Sequence, residues 1–163
     1  MVGVDDSAGA QAALRYAADR AAEANAPLIV ATTFRPVSDQ VWAESGYYDV
    51  PTPETRKFDT AARQTAEHVT AAAARQAKED HPTLSTQELV ITGSPARELA
   101  RAADNCGLLV VGTRGHGGFA GLLLGSVSHG VIHSAPCPVA IVPTEKKTPQ
   151  TNGSERPDSD DAS

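Results

Sequence analysis

The sequence predicts an α/β fold: a single domain with a doubly wound, five-stranded parallel sheet and helices on both faces. Three observations predict it. Strand-like and helix-like segments alternate in the order β-α-β-(loop)-α-β-α-β-α-β, which implies parallel strands joined by right-handed crossovers. The turn after the first apolar run (Asp5) and the glycine-dense turn after the fourth (Gly112) would both lie at the carboxyl edge of such a sheet, where these folds bind ligands. Finally, 163 residues at 40% hydrophobic content make one domain, large enough to bury a core without staples.

Each element has its own signal. Met1-Val2-Gly3-Val4-Asp5 reads as the end of a strand that begins abruptly. A central strand ordinarily has two or three more residues, which leaves open a start upstream of Met1. Asp5, Asp6 and Ser7 are turn and N-cap types. Ala8 to Asn25 carries Ala12, Ala13, Tyr16, Ala17 and Ala21 at helical spacing, and Leu28 to Phe34, opened by Pro27, is rich in β-branched residues. Arg35 to Pro53 has no period and holds Pro36, Gly46, Pro51 and Pro53, so it reads as a long loop; Glu54 to Lys78 is an alanine-rich helix with a polar face. Thr86 to Thr92 is the third strand. Ser94 as N-cap with Pro95 at the first helical position opens a short helix to about Ala103. Leu108 to Gly112 is the fourth strand, Ser126 to Ser134 a helix, and Pro138 to Val142 a fifth strand that Pro136 and Pro138 keep from being helical. Residues 1–143 form the domain. Residues 144–163, polar with Pro149, Gly153 and Pro157 and acidic at the end, are expected to be a disordered tail.

Composition narrows the function classes. Aromatics make up 4%, so alanine, valine and leucine must do the packing. A net charge of −6 argues against nucleic acid or an anionic membrane as general partners. Cys106 and Cys137 make no disulfide framework, and each adjoins an apolar run where a buried, inert thiol is expected. No apolar stretch approaches 18 residues and no leader pattern is present, so the reading is soluble and cytoplasmic.

The chemistry concentrates in Val110-Val111-Gly112-Thr113-Arg114-Gly115-His116-Gly117-Gly118 and, after a small apolar run, Gly125-Ser126. Strand, glycine loop and helix start are the parts of a phosphate cradle. Glycine lets backbone approach a ligand closely, and the free N–H groups of a helix start favour an anion. It is not a Walker A loop, because no lysine occurs between Lys78 and Lys146. Gly115-His116-Gly117-Gly118-Phe119-Ala120 fits a loose dinucleotide pattern but follows the fourth strand and lacks its acidic partner, so the match is read as chance.

The spacing Gly112, two residues, Gly115, nine residues, Gly125-Ser126 resembles the signature of the nucleotide-binding members of the universal stress protein family. Val2-Gly3-Val4-Asp5-Asp6-Ser7 is similar to that family's first strand and turn, Gly93-Ser94-Pro95-Ala96 to its third strand-to-helix junction, and Pro136 to Val142 to its last strand. The resemblance spans about residues 1–143. It implies a Rossmann-type, adenine nucleotide alpha hydrolase-like sheet in the order 3-2-1-4-5, with ATP as the bound cofactor; whether Mg²⁺ accompanies it is left open. By the same resemblance Asp5 would meet the adenosine, Thr33 would line the adenine pocket, and Val111 and Gly112 would border ribose and base. Gly115, Gly125, Ser126, Val127 and Ser128 would hold the phosphates through backbone amides and the hydroxyls of Ser126 and Ser128. Arg114 and His116 are added here as positive charge beside the phosphates. The family also dimerises through the fifth strand, which implies a homodimer across Pro138–Val142, the expected sheet edge. Two departures stand out: Gly107 replaces a usual acidic residue, and Thr32 occupies a place where histidine is common, leaving the polarity of the adenine pocket open.

Other candidates carry less. His129 and His133 are four apart on a helix, but Gly130 follows His129 and no third ligand is apparent, so they read as solvated or capping histidines and no metal site is expected. Trp42, Tyr47 and Tyr48 in the long loop could lid the nucleotide or pack on the nearest apolar surface; packing is the preferred reading. Arg63, Glu67, Arg75 and Glu79 read as a solvated helix face. No Asp or Glu lies between Asp104 and Glu145 to position water, so at most slow hydrolysis is expected and no catalytic residue is assigned. The expected function is an ATP-binding regulatory module. The alternatives are a dimeric interaction module of the same fold without nucleotide and, ranked last, a nucleotidyl-transfer or pyrophosphatase enzyme.

Overall fold

The order of the strands follows from which residues flank the two short ones. In the computed structural model, which describes residues 1–37, 52–113, 115 and 124–144, β1 (Val2–Gly3) is central, with β2 (Leu28–Phe34) on one side and β4 (Leu109–Gly112) on the other. β3 (Thr86–Thr92) and β5 (Val139–Val142) close the sheet, giving β3-β2-β1-β4-β5, all parallel. The expected five-stranded sheet and its order are observed. The strand sequence reverses direction between β1 and β4, which opens a crevice at their carboxyl ends.

Helices α1 (Ala8–Glu23) and α2 (Pro53–Asp80) cover one face; α3 (Pro95–Ala102) and α4 (Ser126–Ser134) cover the other. Alternation along the strands sorts the core into two clusters. Val2, Val4, Leu28, Val30 and Val110 pack with Ala13, Leu14, Ala17, Ala74 and Ala77 on the α1/α2 side. Ala31, Leu109, Val111, Val139 and Ile141 pack with Leu99, Ala103 and Val131 on the α3/α4 side. Small side chains let the layers approach closely. A Cβ at Gly112 would lie 2.6 Å from the carbonyl carbon and oxygen of Gly9, so the first turn of α1 rests directly on the end of β4.

The boundaries differ from expectation by a residue or two. α1 ends at Glu23, short of Asn25, because Asn25 takes a left-handed φ of 49° that no helix continues. α2 begins at Pro53, with Thr52 as its N-cap accepting from the Thr55 N–H at 3.2 Å, and runs to Asp80. β4 and β5 each begin one residue later than expected, at Leu109 and Val139. On α2, Arg63 and Glu67 form the exposed i,i+4 pair expected of a solvated face.

Candidate functional site

A cleft of about 260 Å³ opens where the strand order reverses. Its floor is the sheet: Gly3, Val4 and Asp5 from β1 and the turn after it, Ala31 and Thr33 from β2, Val111 and Gly112 from β4. Gly115 and the first residues of α4, Gly125 to Ser128, form one wall; Pro95 and Leu99 of α3 form another, and Ala10 of α1 completes it. Nine of the residues singled out from sequence are thus brought together: Asp5, Thr33, Val111, Gly112, Gly115, Gly125, Ser126, Val127 and Ser128. Arg114 and His116 lie outside the described residues, as do Trp42, Tyr47 and Tyr48.

The neck of the glycine loop is closed by hydrogen bonds. The Gly125 N–H donates to Thr113 O at 2.7 Å, and the Thr113 N–H to Val142 O at 2.9 Å. Ser128, 2% exposed, directs its hydroxyl to Thr113 O at 3.0 Å and Gly125 O at 2.9 Å. The hydroxyl expected to hold phosphate thus donates to backbone carbonyls and fastens the loop's two ends. The Ser126 side chain stays exposed at the helix start.

Asp5 is placed by the turn it makes. Its Oδ1 accepts from the Ser7 N–H and hydroxyl, while its Oδ2 occupies the space a Cβ on Gly115 would need. Glycine at 115 is therefore what allows the loop to pass over the carboxylate.

Capping divides the helices of the described residues by face. On the α1/α2 face of the sheet, Ser7 accepts from the Ala10 N–H at 3.2 Å and Thr52 caps α2. On the α3/α4 face, neither helix has a side-chain cap. Ser94, expected to cap α3, instead accepts from Arg35 Nη2 at 2.9 Å. α4 is preceded by Gly125, which has no side-chain acceptor to offer. Its first N–H groups and the positive end of its dipole face the cleft, an arrangement that accommodates an anionic oxygen.

Sequence reading missed Gly3, Val4, Ala10, Ala31, Pro95 and Leu99, which supply shape with little polarity. Parity was the available signal: Ala31 shares a face with Thr33, and Gly3 with Asp5. Parity also corrects the place given to Thr32. Leu28 and Val30 face α1 and α2, so Thr32 points away from the cleft and does not set its polarity. Its Oγ1 is buried and has no hydrogen-bond partner among the described residues. His129 and His133 are exposed and meet edge to face at 4.7 Å. No group of three or more His, Cys, Asp or Glu suited to a metal occurs among the described residues. There, too, no helix is long and apolar enough to cross a membrane.

Comparison with known proteins agrees with this geometry. The model of the universal stress protein family matches residues 1–143. The universal stress protein Rv2623 of Mycobacterium tuberculosis is 33% identical over 141 residues, 86% of this chain and 43% of its own length; the chain spans less than half the length of the curated relatives of this kind. Among solved structures, a universal stress protein in complex with cAMP superposes with a TM-score of 0.60 at 29% identity, covering 88% of this chain and 94% of that one. UspA of Lactobacillus plantarum reaches a TM-score of 0.71 at 20% identity, covering 86% and 95%, and shares the fold.

Proposed function

This chain belongs to the universal stress protein family, and from that premise we propose that it binds ATP in the cleft and acts as a nucleotide-dependent regulatory module. The observation that carries the reading is the uncapped start of α4 beside a loop of bare backbone. Amide donors fixed before the ligand arrives give an anion its hydrogen bonds without ordering cost. The relative solved with cAMP supports the adenine end of the assignment. Thr33, Val111 and Gly112 border base and ribose; Gly115, Ser126 and Val127 hold phosphate through their amides, while the Gly125 N–H, donated to Thr113 O, and the Ser128 hydroxyl keep that backbone in place. Arg114 and His116 add positive charge to the same loop. Asp5 is the carboxylate lining the cleft among the described residues. One carboxylate in the lining, already accepting from the Ser7 N–H and hydroxyl, supports slow hydrolysis at most.

The assembly we propose is a cytoplasmic homodimer. β5 is a sheet edge, its four residues are half-buried, and its outer N–H and C=O groups suit antiparallel pairing with a second copy.

Calorimetric titration of the purified chain with ATP, ADP, AMP and cyclic AMP, each with and without Mg²⁺, tests the reading. Gly125→Val removes close backbone approach and is expected to weaken ATP binding at least tenfold while circular dichroism stays unchanged. Unaltered affinity in that variant would refute the cradle; no binding of any nucleotide by the wild type would favour the interaction module; rapid turnover would favour the enzyme.

A further inference from the structure

We propose that His129 and His133 of α4 form a chelating site for a divalent transition cation, nickel, copper or zinc, outside the nucleotide cleft. The two side chains stand one turn apart on the same helix, both are exposed, and neither lines the cleft. Residues four apart on a helix share a face, with Cβ atoms about 5–6 Å from one another. Spacing alone does not say whether two such rings meet. In the structure they do, with ring centroids 4.7 Å apart and an interplanar angle of 68°. No hydrogen bond ties up either ring among the described residues.

That separation is the one a shared ion requires. A ring nitrogen binds zinc at about 2.0–2.1 Å, which puts the metal about 3.2 Å from that ring's centroid. Two rings meeting at one ion at about 90–109°, from octahedral to tetrahedral coordination, have centroids about 4.5–5.2 Å apart. The observed 4.7 Å falls inside this window, so ligation needs a turn of the exposed rings and no movement of the helix. The scaffold beneath them is fixed. Ser128 and Val131 are buried on the opposite side of α4, and Gly130 is seated against Ala96 of α3. His133 also lies in the last turn, where the negative end of the helix dipole favours a cation.

The donor set selects the class of ion. Imidazole suits zinc, copper and nickel, whereas calcium and magnesium take oxygen ligands. Among the described residues no third His, Cys, Asp or Glu joins the pair, so water fills the remaining positions. Such an ion exchanges readily, unlike a structural zinc closed by four protein ligands. Two imidazoles on one rigid turn present the second ligand at high effective concentration, so the pair binds at least about tenfold more tightly than either ring alone. Both ligands belong to α4, and a bound ion holds the end of that helix in its folded form.

Calorimetric titration of the untagged full chain with nickel chloride, in the absence of nucleotide, tests the site without reference to the cleft. A saturable event that both histidines control is expected. His129→Ala and His133→Ala should each weaken it at least about tenfold, and the double variant should add little to that loss, because either change alone breaks the chelate. Both positions are exposed, so circular dichroism of these variants should match wild type. His68→Ala and His81→Ala should take up nickel as wild type does. Nickel should also raise the thermal midpoint of wild type and of these two controls, and leave that of the His129 and His133 variants unmoved. No saturable uptake by wild type, wild-type affinity in either single variant, or an equal loss in His68→Ala or His81→Ala would each overturn the proposal.

Discussion

Gly112→Ala measures how tightly α1 is seated on β4. An added Cβ would lie 2.6 Å from both the carbonyl carbon and the oxygen of Gly9 and 3.0 Å from its Cα. All three are backbone atoms in the first turn of a helix, so no side chain can swing aside. Restoring an ordinary 3.4 Å contact requires α1 and β4 to part by about 0.8 Å. Separation on that scale in a packed interior costs about 1–3 kcal/mol, which for a domain of this size lowers the melting temperature by about 4–12 °C. Gly107→Ala is the matched control, because the same methyl meets nothing within 4 Å there. Thermal unfolding followed by circular dichroism reads both. A Gly112→Ala midpoint equal to wild type, or a Gly107→Ala midpoint depressed as far as Gly112→Ala, would show that the contact between α1 and β4 is not as described.

Two other substitutions probe single hydroxyls. Ser128→Ala removes the donor to Thr113 O and Gly125 O and is expected to cost about 1 kcal/mol in denaturant titration, with a several-fold loss of nucleotide affinity as the loop's neck loosens; a change in neither would mean the hydroxyl fastens nothing. Thr32→Val replaces a buried, unpartnered hydroxyl with a methyl of similar size. It should stabilise the domain by about 1 kcal/mol, and a lowered melting temperature would mean that Oγ1 does find a partner.

The fold was legible because its signals are local and redundant. Apolar runs bounded by glycine and proline marked the strands, and alternation with helices left a parallel sheet as the outcome. Strand edges were less legible, since ladder hydrogen bonds depend on a neighbour: Leu108 and Pro138 belong to their apolar runs but fall just before pairing begins. The site was half legible. Gly112, Gly115 and Gly125 announced themselves because bare backbone near a helix start has few other uses. Pro95 and Leu99 did not, because α3 reaches the cleft only through the crossover. The hydrogen bonds of the Ser128 hydroxyl were not legible for a related reason: sequence shows a donor near a phosphate loop, while the carbonyl it meets, Thr113 O, is placed only by closure of the neck.

Capping gives the most exacting test of what Gly125 is for. Asp, Ser and Asn are better N-caps than Gly by a few tenths of a kcal/mol, and Gly125 has φ −79° and ψ 171°, a backbone any residue adopts. Conformation therefore does not require glycine here. Gly125→Asp would place a carboxylate on the N–H groups of the first turn of α4, completing the helix as Ser7 and Thr52 complete α1 and α2. With its favourable charge at the dipole's positive end, the variant should match or exceed wild-type stability by up to about 1 kcal/mol. The same carboxylate occupies the donors a phosphate needs and repels its charge, so ATP affinity should fall by at least about tenfold, or 1.4 kcal/mol. Stability and binding move in opposite directions only if the empty cap is reserved for a ligand. A Gly125→Asp variant that binds ATP as tightly as wild type would show that the start of α4 serves the helix alone.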